Sequence, residues 1–387
     1  MQKLKQLIKC ILFSITDFLA KQNSEIEPKT ILLIRLDAIG DYVLFRNYIE
    51  ILKSEYKDYR ITLVGNIAWK SIAEEFDSNF IDNFVWINRR QFERNLLYRY
   101  KKLKEINKQG YEIVINPTYS RNFFADDSIV KLVNAKEKIG SQGDLSNIKK
   151  WQKNISDKFY TKLIPTRNTV MFEFYRNKEF FENLFDKKID IKKPFIKLGE
   201  KKLNFDLPDR YAILFIGASA SFRKWSIENF VEVGKFLKEE FEYEIVLCGG
   251  PTDSEDAKKF KELADYKYTD TIGKTSLIDL LYIIYNGNLM ISNETSAPHF
   301  AVALGMRNIF VIYNGNHFGR FIPYPKEIWP YYYPIYHPEI EKDLDNYRKL
   351  SNTYSCGSRL DINEISVEKV KEKVIKVLKR AQQQSNR

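Results

Sequence analysis

The chain has 387 residues, a hydrophobic content of 44% and a formal net charge of +11. This length and composition allow two sizeable buried cores and exclude intrinsic disorder as the main state of the chain. Three cysteines and three histidines, all far apart, form neither a disulfide framework nor a zinc motif, which fits a reducing cytoplasm, and the excess of positive charge favours anionic partners.

Residues 1–28 begin with a predicted amphipathic helix. Lys5 and Lys9 lie on its polar side, Phe13 is an exception to the pattern, and Asp17 interrupts the apolar run, so the segment is too short and too polar to span a bilayer. A basic amphipathic helix suits the surface of an anionic membrane, but it equally suits packing on the protein itself or on a partner. Both interpretations stay open. The apolar positions that share one helical face are Leu4, Ile8, Ile11, Leu12, Ile15, Phe18 and Leu19.

Residues 29–193 alternate between predicted strands and helices. The first strand, 31–36, is followed by Asp37-Ala38-Ile39-Gly40-Asp41 and then by a helical pattern, so a carboxylate comes directly after a glycine turn. The dinucleotide-binding fingerprint GxGxxG is absent. Asp41 is therefore either a functional carboxylate or an ordinary complement to a helix dipole. Further strands are predicted at 60–65, 83–87 and 111–116, and residues 120–170 are polar and basic.

Residues 194–363 repeat the pattern, with strands predicted near 211–216, 244–248, 268–272, 289–292 and 308–313. The first of these runs into a loop of small residues that contains Ser219 and ends with Arg223 and Lys224. Small residues let a backbone approach a ligand, and the two cations could bind an anion or simply be solvated. The second strand ends in the glycine turn Gly249-Gly250.

A strand, a tight turn and a helix start are also predicted at 289–305. Thr295 or Ser296 would cap the helix, and the free N–H groups at its start would suit a phosphate. Glu294 and His299 would lie at the mouth of this turn. The alternative is an ordinary capped turn without a ligand. Residues 364–387 carry an apolar stripe and predict a final helix.

Repeated βαβ units predict an α/β protein with two Rossmann-like domains, each built on a parallel sheet. Ligands of such sheets bind beyond the carboxyl ends of the strands, and the motifs above fall there. The cleft between the two domains is the expected site.

In this order, the motifs resemble glycosyltransferase family 9, the lipopolysaccharide heptosyltransferases. The resemblance rests on Asp37-Ala38-Ile39-Gly40-Asp41, on Ile216-Gly217-Ala218-Ser219 with Arg223-Lys224-Trp225, on Gly249-Gly250, and on Asn293 to His299. It implies the GT-B fold, in which two domains face each other across a cleft and a final helix packs back toward the first domain. The first domain of such enzymes binds the acceptor, so the basic stretch 120–170 is a candidate acceptor surface.

The resemblance also implies an inverting transfer without a metal cofactor, from a nucleotide-diphosphate sugar such as ADP-heptose to a membrane-anchored glycolipid. Asp41 would be the catalytic base. The enzyme would lie in the cytoplasm at the inner face of the cytoplasmic membrane. The residues implied to bind the donor are Gly40, Ser219, Arg223, Lys224, Gly250, Glu294, Thr295, Ser296 and His299.

Four positions depart from the family pattern: Glu294 replaces Asp, Ser296 replaces Gly, Arg223 replaces Lys, and Asp37 replaces a small hydroxyl residue. The last three motifs would also suit a nucleotide-sugar epimerase of the same architecture, but Asp41 in its motif would not. Glu294 and Ser296 raise a second alternative, a non-catalytic relative that only binds a nucleotide sugar. Nucleic-acid binding is disfavoured because the cations are dispersed and no recognised binding motif is present.

Overall fold

The computed structural model describes residues 2–200, 203 and 205–385, with side chains for 8–200, 203 and 205–380. Leu4 and Lys5, expected on the two sides of the first helix, lie outside the described side chains. The chain divides into two compact units: Met1–Thr169 with Phe174–Ile191, and Val170–Glu173 with Lys192–Arg387. Each unit contains one six-stranded parallel sheet flanked by helices, so the predicted α/β class with two Rossmann-like domains is confirmed.

In the first unit the strand order is β3-β2-β1-β4-β5-β6. The chain leaves β1 toward β2 on one side and returns to β4 on the other, which creates a switch point between β1 and β4. The strands are β1 (Ile26–Arg35), β2 (Arg60–Asn66), β3 (Asn83–Ile87), β4 (Gly110–Asn116), β5 (Ala135–Ser141) and β6 (Lys162–Ile164). The helices are α1 (Gln2–Ala20), α2 (Ile39–Phe45), α3 (Asn47–Glu55), α4 (Lys70–Phe76), α5 (Arg89–Phe92), α6 (Leu96–Ile106), α7 (Asp126–Leu132), α8 (Lys150–Ser156) and α9 (Glu173–Phe185).

The central strands of this sheet are the continuous apolar runs of the sequence. Residues 30–35 of β1 are all buried, as expected for a strand covered on both faces. The sequence analysis missed β5 and β6. The first four residues of β5 are only partly buried or exposed and include three charged side chains, and β6 has only three residues, so neither carries an apolar run.

Helix α1 is fixed to this unit through one side. Phe13 is buried, and the carboxylate of Asp17 accepts two hydrogen bonds from Arg99, at 2.6 Å from Nε and 2.9 Å from Nη2. The Arg99 guanidinium also lies 4.4 Å from the centre of the Phe13 ring. The opposite side of α1 leaves large apolar residues exposed. Among the described residues, no helix is long and apolar enough to cross a bilayer.

In the second unit the strand order is β12-β11-β10-β7-β8-β9, and the switch point lies between β7 and β10. The strands are β7 (Tyr211–Phe215), β8 (Glu244–Cys248), β9 (Thr269–Asp270), β10 (Leu289–Asn293), β11 (Ile309–Tyr313) and β12 (Tyr332–Tyr336). The helices are α10 (Ile227–Phe241), α11 (Ser254–Leu263), α12 (Leu277–Asn286), α13 (Ala297–Ala303), α14 (Pro338–Glu341), α15 (Tyr347–Tyr354) and α16 (Val367–Ser385).

Helix α16 buries the apolar stripe that the sequence predicted. Val370 and Val374 join the same core cluster as Phe230 and Leu237 of α10, so the described contacts of this helix lie within the second unit. Its expected packing toward the first domain stays a prediction. Strand β12 was not expected, because its Tyr-Tyr-Pro-Ile-Tyr sequence contains a proline; the strand lies at the sheet edge, where proline is tolerated.

Candidate active site

The predicted donor-binding residues of the second unit, except His299, lie in the segments that follow the carboxyl ends of its strands. These segments follow β7, β8 and β10, three adjacent strands, and β7 and β10 flank the switch point. Because the strands are parallel, their carboxyl ends meet at one edge of the sheet, where open α/β sheets bind ligands.

The loop after β7 is anchored at its far end by Trp225. The indole is buried and donates to the carbonyl of Ile365 at 2.8 Å, and the backbone N–H of Trp225 donates to Asn293 Oδ1 at 3.0 Å. The amide group of Asn293 in turn donates to the carbonyl of Ile216 at 2.7 Å. Asn293 therefore ties both ends of the loop to β10. Asn293 was not among the predicted site residues, because its role depends on β10 lying next to β7 in the sheet.

Arg223 lies between Ser219 and Glu294. Its Nη2 donates to the hydroxyl of Ser219, and its Nη1 lies 3.7 Å from Glu294 Oε1. Its Nε is buried and has no hydrogen-bond partner within the part of the chain that the structure describes. A buried guanidinium N–H without an acceptor is costly, and a bound anion would satisfy it.

Glu294 is itself held from the loop after β11. It is buried and accepts hydrogen bonds from Asn316 Nδ2 at 3.0 and 3.1 Å, while His317 Nδ1 lies 3.5 Å from its Oε1. Neither Asn316 nor His317 was predicted. The signal that could have found them is the order of the strands, because β11 follows β10 directly in the sheet.

Lys224 is held by two carboxylates. Its Nζ donates to Asp253 Oδ1 at 2.7 Å and to Asp256 Oδ2 at 2.6 Å. Burial acts to lower the pKa of Lys224, but the two carboxylates outweigh it, so the pKa is raised and the ammonium stays charged. Its positive charge is nevertheless balanced locally, which the sequence did not indicate.

Asp253 connects three loop segments and was also missed. Its Oδ2 accepts the backbone N–H of Gly250 at 2.8 Å, and its Oδ1 accepts from Lys224. It is buried, and a Cβ at Gly217 would overlap its Oδ2. Gly217 is thus required for close packing around this carboxylate, whereas Gly250 contributes its backbone N–H. The sequence signal was Pro251 followed two residues later by an acid, which is typical of a helix start.

The turn after β10 differs in part from the expectation. Ser296 occupies the N-cap of α13, but its side chain makes no capping hydrogen bond. The backbone N–H groups of Thr295 and Ser296 donate no hydrogen bond within the described chain, so they remain available to a ligand. The two hydroxyl residues are half-buried at the edge of the sheet.

His299 does not lie at the mouth of this turn. It is buried in α13, and its Nδ1 lies 2.6 Å from the hydroxyl of Tyr324. Burial lowers the pKa of His299 to about 4, so the ring is neutral near pH 7 and cannot supply positive charge to an anion. The partly exposed His317 is the histidine beside Glu294.

In the first unit, Gly40 and Asp41 lie in the first turn of α2, at the carboxyl end of β1 beside the switch point. The preceding turn is held by neighbouring elements. The carbonyl of Asp37 accepts from Asn66 Nδ2 at 3.0 Å and from the Trp69 indole at 3.1 Å. The turn that carries Asp41 is therefore positioned from β2 and the residues after it.

Helix α2 is fixed by a buried network. The hydroxyl of Tyr42 donates to Asp77 Oδ2 at 2.6 Å, and Arg46 Nη2 donates to Asp77 Oδ1 at 2.7 Å. The ring of Tyr42 also stacks on Trp69 with a centroid distance of 3.8 Å. The helix that carries Asp41 is therefore held in a fixed position, and a fixed position is what a group that takes part in a proton transfer needs.

Two Rossmann-like units, each with loops at the switch point of a parallel sheet, are the architecture of the GT-B glycosyltransferases. The family model of glycosyltransferase family 9 (heptosyltransferase) matches residues 99–334. The chain belongs to glycosyltransferase family 9. A search of curated protein sequences finds no significant match.

Solved structures give the same picture of the fold. A family 9 glycosyltransferase from Veillonella parvula is 20% identical, with a TM-score of 0.66, and the match covers 93% of this chain and 99% of that one. The Escherichia coli heptosyltransferase WaaC with ADP is 14% identical, with a TM-score of 0.65 and coverage of 89% and 98%. Escherichia coli ADP-heptose heptosyltransferase II is 14% identical, with a TM-score of 0.60 and coverage of 91% and 99%.

No group of three or more histidine, cysteine, aspartate or glutamate side chains within the described residues is arranged to hold a metal ion. Near the carboxyl ends of the strands of the second sheet, the described residues offer instead a guanidinium, two backbone N–H groups that donate no hydrogen bond, and hydroxyls. Such groups suit a phosphate or diphosphate.

Proposed function

We propose that the protein transfers a heptose from a nucleotide-diphosphate heptose, such as ADP-heptose, to a membrane-anchored surface glycolipid of the lipopolysaccharide type, with inversion and without a required metal. The observation that carries the donor side of this proposal is Arg223, whose buried Nε has no hydrogen-bond partner among the described residues. Its Nη1 lies 3.7 Å from Glu294, the residue before Thr295 and Ser296, whose backbone N–H groups donate no hydrogen bond among those residues either. Diphosphate oxygens would satisfy all three donors.

The leaving diphosphate gains negative charge as the sugar departs, and fixed donors stabilise that charge without rearranging. Arg223 can act in this way because Ser219 and Glu294 hold its guanidinium from two sides. Lys224 connects the same loop to Asp253 through a hydrogen bond, so we assign it a positioning role in addition to its charge. The ADP in the WaaC structure supports an adenine nucleotide as the first donor to test.

We propose Asp41 as the base that accepts the proton of the acceptor hydroxyl. Its place at the carboxyl end of β1 and its rigid support through Tyr42 and Asp77 favour this role. Asp41→Asn keeps the shape of the side chain but removes its basicity. We expect the transfer rate to fall about 10²–10⁴-fold, while ADP affinity measured by calorimetry stays unchanged.

Asp58→Asn, which neutralises an exposed carboxylate of the same unit, is the matched control and should leave the rate unchanged. An Asp41→Asn enzyme with near wild-type turnover would remove Asp41 from the mechanism. A wild-type protein that binds ADP and ADP-heptose but transfers nothing would instead favour the non-catalytic alternative raised by Glu294 and Ser296.

A membrane-anchored acceptor places the enzyme at the inner face of the cytoplasmic membrane, and we propose α1 as the segment that associates with it. The packed side of α1 uses Phe13 and Asp17, which leaves its other apolar side chains exposed. Removing residues 1–22 should reduce binding to anionic liposomes and leave ADP binding intact. Loss of folding in the truncated protein would mean that α1 serves the core instead.

A further inference from the structure

The exposed side of α1 is apolar and held in a fixed orientation. Its large apolar side chains face away from the unit because the Asp17–Arg99 pair holds the other side of the helix against α6. An exposed apolar stripe of this size marks an interaction surface. The exposed residues are Ile8, Ile11, Leu12, Ile15, Phe18 and Leu19.

A second exposed apolar group lies at residues 145–155 of the same unit, around α8. It consists of Leu145, Trp151 and Ile155. A chain of aromatic contacts connects it to α1: ring centroids are 5.4 Å apart for Phe13 and Phe124, and 5.8 Å apart for Phe123 and Trp151. The adjacent rings of Phe123 and Phe124 are 5.1 Å apart and only half-buried. Because Phe13 is buried, the connection at the surface runs from the partly exposed Lys9 of α1, over the Phe124 ring at 5.0 Å, to Phe123 and Trp151. The two apolar groups therefore lie on neighbouring elements of the same unit.

Lysines accompany these two groups. Lys9 Nζ lies 5.0 Å from the ring centres of both Phe13 and Phe124, and Lys131 Nζ lies 5.5 Å from that of Phe159. Lys21, Lys131 and Lys150 have no carboxylate partner in the part of the chain that the structure describes, and Lys21 and Lys150 are exposed. Cationic side chains around an apolar surface complement an anionic bilayer.

Two carboxylates lie next to the second group, Asp144 and Asp157, and the Asp144 carboxylate accepts hydrogen bonds from Ser146. Asp157 is already bound by Arg121 and by Lys153, whose Nζ lies 2.8 Å from Oδ2. A second copy of the chain on this surface would bring the two sets of lysines together across a twofold axis, which is unfavourable. A bilayer of anionic lipids has no such cost.

We propose that α1 and residues 145–155 form a single docking surface for an anionic lipid bilayer, with Trp151 and Ile155 inserting alongside α1. This inference rests on the proposed membrane-anchored acceptor, and it adds a second contact inside the basic stretch 120–170. Two contacts on one rigid unit fix its orientation on the membrane, whereas α1 alone would only attach it. Tryptophan is well suited to the interface between lipid and water.

The first test measures binding of the full chain to vesicles of equimolar phosphatidylethanolamine and phosphatidylglycerol. Ile155→Ser should weaken binding by about tenfold, because one large apolar side chain no longer inserts. Leu263→Ser is the matched control, since Ile155 and Leu263 are each 44% exposed and Leu263 lies on α11 of the second unit. Equal binding of the two variants would overturn the proposal.

The second test uses the fluorescence of Trp151, which is the exposed one among the five tryptophans of the chain. Lipids with a spin label high in the acyl chain should quench its emission, and Trp151→Phe should remove most of that quenching. Absence of quenching in vesicle-bound protein would restrict the contact to α1 and refute the second contact.

Light scattering and ADP calorimetry on the same samples separate the remaining outcomes. If Ile155→Ser abolishes a dimer while vesicle binding persists, the surface joins two copies of the chain and the proposal is wrong. If ADP binds normally but vesicles do not, only the docking inference fails. If ADP does not bind, the proposed function fails.

Discussion

Asp253 offers the sharpest test of how the second unit holds its donor loops. It joins the glycine turn after β8 to the cation loop after β7 through Gly250 and Lys224. Asp253→Asn preserves its shape, but an amide has one acceptor oxygen where the carboxylate has two. Either the N–H of Gly250 or the ammonium of Lys224 then faces an NH₂ group and loses its partner.

The magnitude follows from the lost contact. A hydrogen bond to a charged group is worth about 1.5–3 kcal/mol when it is buried, and Asp253 is almost completely buried. For a unit of this size, that loss corresponds to a melting temperature lower by roughly 3–12 °C. We also expect weaker ADP binding, because both loops that face the proposed diphosphate lose their common anchor.

Asp256→Asn is the matched control. Asp256 is the other partner of Lys224, at 2.6 Å, and its side chain is more exposed than that of Asp253. Its loss removes one negative charge and leaves the glycine turn intact, so ADP should bind equally well or more tightly. Calorimetry and thermal unfolding of both variants provide the comparison. Equal ADP affinity and equal melting temperature in the two variants would refute the role of Asp253 as an anchor.

Three further outcomes are expected. Arg223→Ala should raise the donor KM and lower kcat. Arg223→Lys should recover only part of the loss, because an ammonium lacks the planar, bidentate arrangement of N–H groups of a guanidinium. Unchanged ADP affinity in Arg223→Ala would show that Arg223 is only a surface charge. Burial lowers the pKa of His299 from 6.5 in the unfolded chain to about 4 in the folded chain, so the free energy of unfolding should decrease by about 3 kcal/mol as the pH is lowered from 6.5 to 4. His299→Gln should reduce this pH dependence in urea unfolding. Asp17→Asn should destabilise the first unit by about 3–5 kcal/mol by leaving Arg99 buried without its counter-ion; an unchanged urea midpoint would contradict this.

The sequence predicted the parts of the fold that depend on local pattern. Apolar runs located β1, β4, β7 and β10, and the turns that follow them located the loops at the carboxyl edges of both sheets. Strand β5 escaped because charged residues occupy its first half, and β12 escaped because Pro334 argues against a central strand. Both strands are defined by their neighbours in the sheet rather than by their own composition.

The sequence could name candidate site residues where one segment carries its own chemistry, but it could not name the residues that distant segments bring next to them. Arg223 and Lys224 could be named from one loop, but Asp253 and Asp256, which balance Lys224, lie about thirty residues away along the chain. His299 appeared to follow an exposed turn, yet all residues of α13 are buried, a property set by the elements around it. Polarity alone could not distinguish a buried histidine from a ligand-binding one.

The two borders of the second sheet have a consequence for how the protein behaves at high concentration. An unpaired strand at a sheet border can recruit a strand from another molecule and start ordered aggregation. Here one border is β9, with only two residues, and the other is β12, in which Pro334 lacks a backbone N–H. A foreign strand would find too few donors and acceptors at either border to pair stably. The unit can therefore keep a parallel sheet with buried apolar central strands without offering a template for its own misassembly.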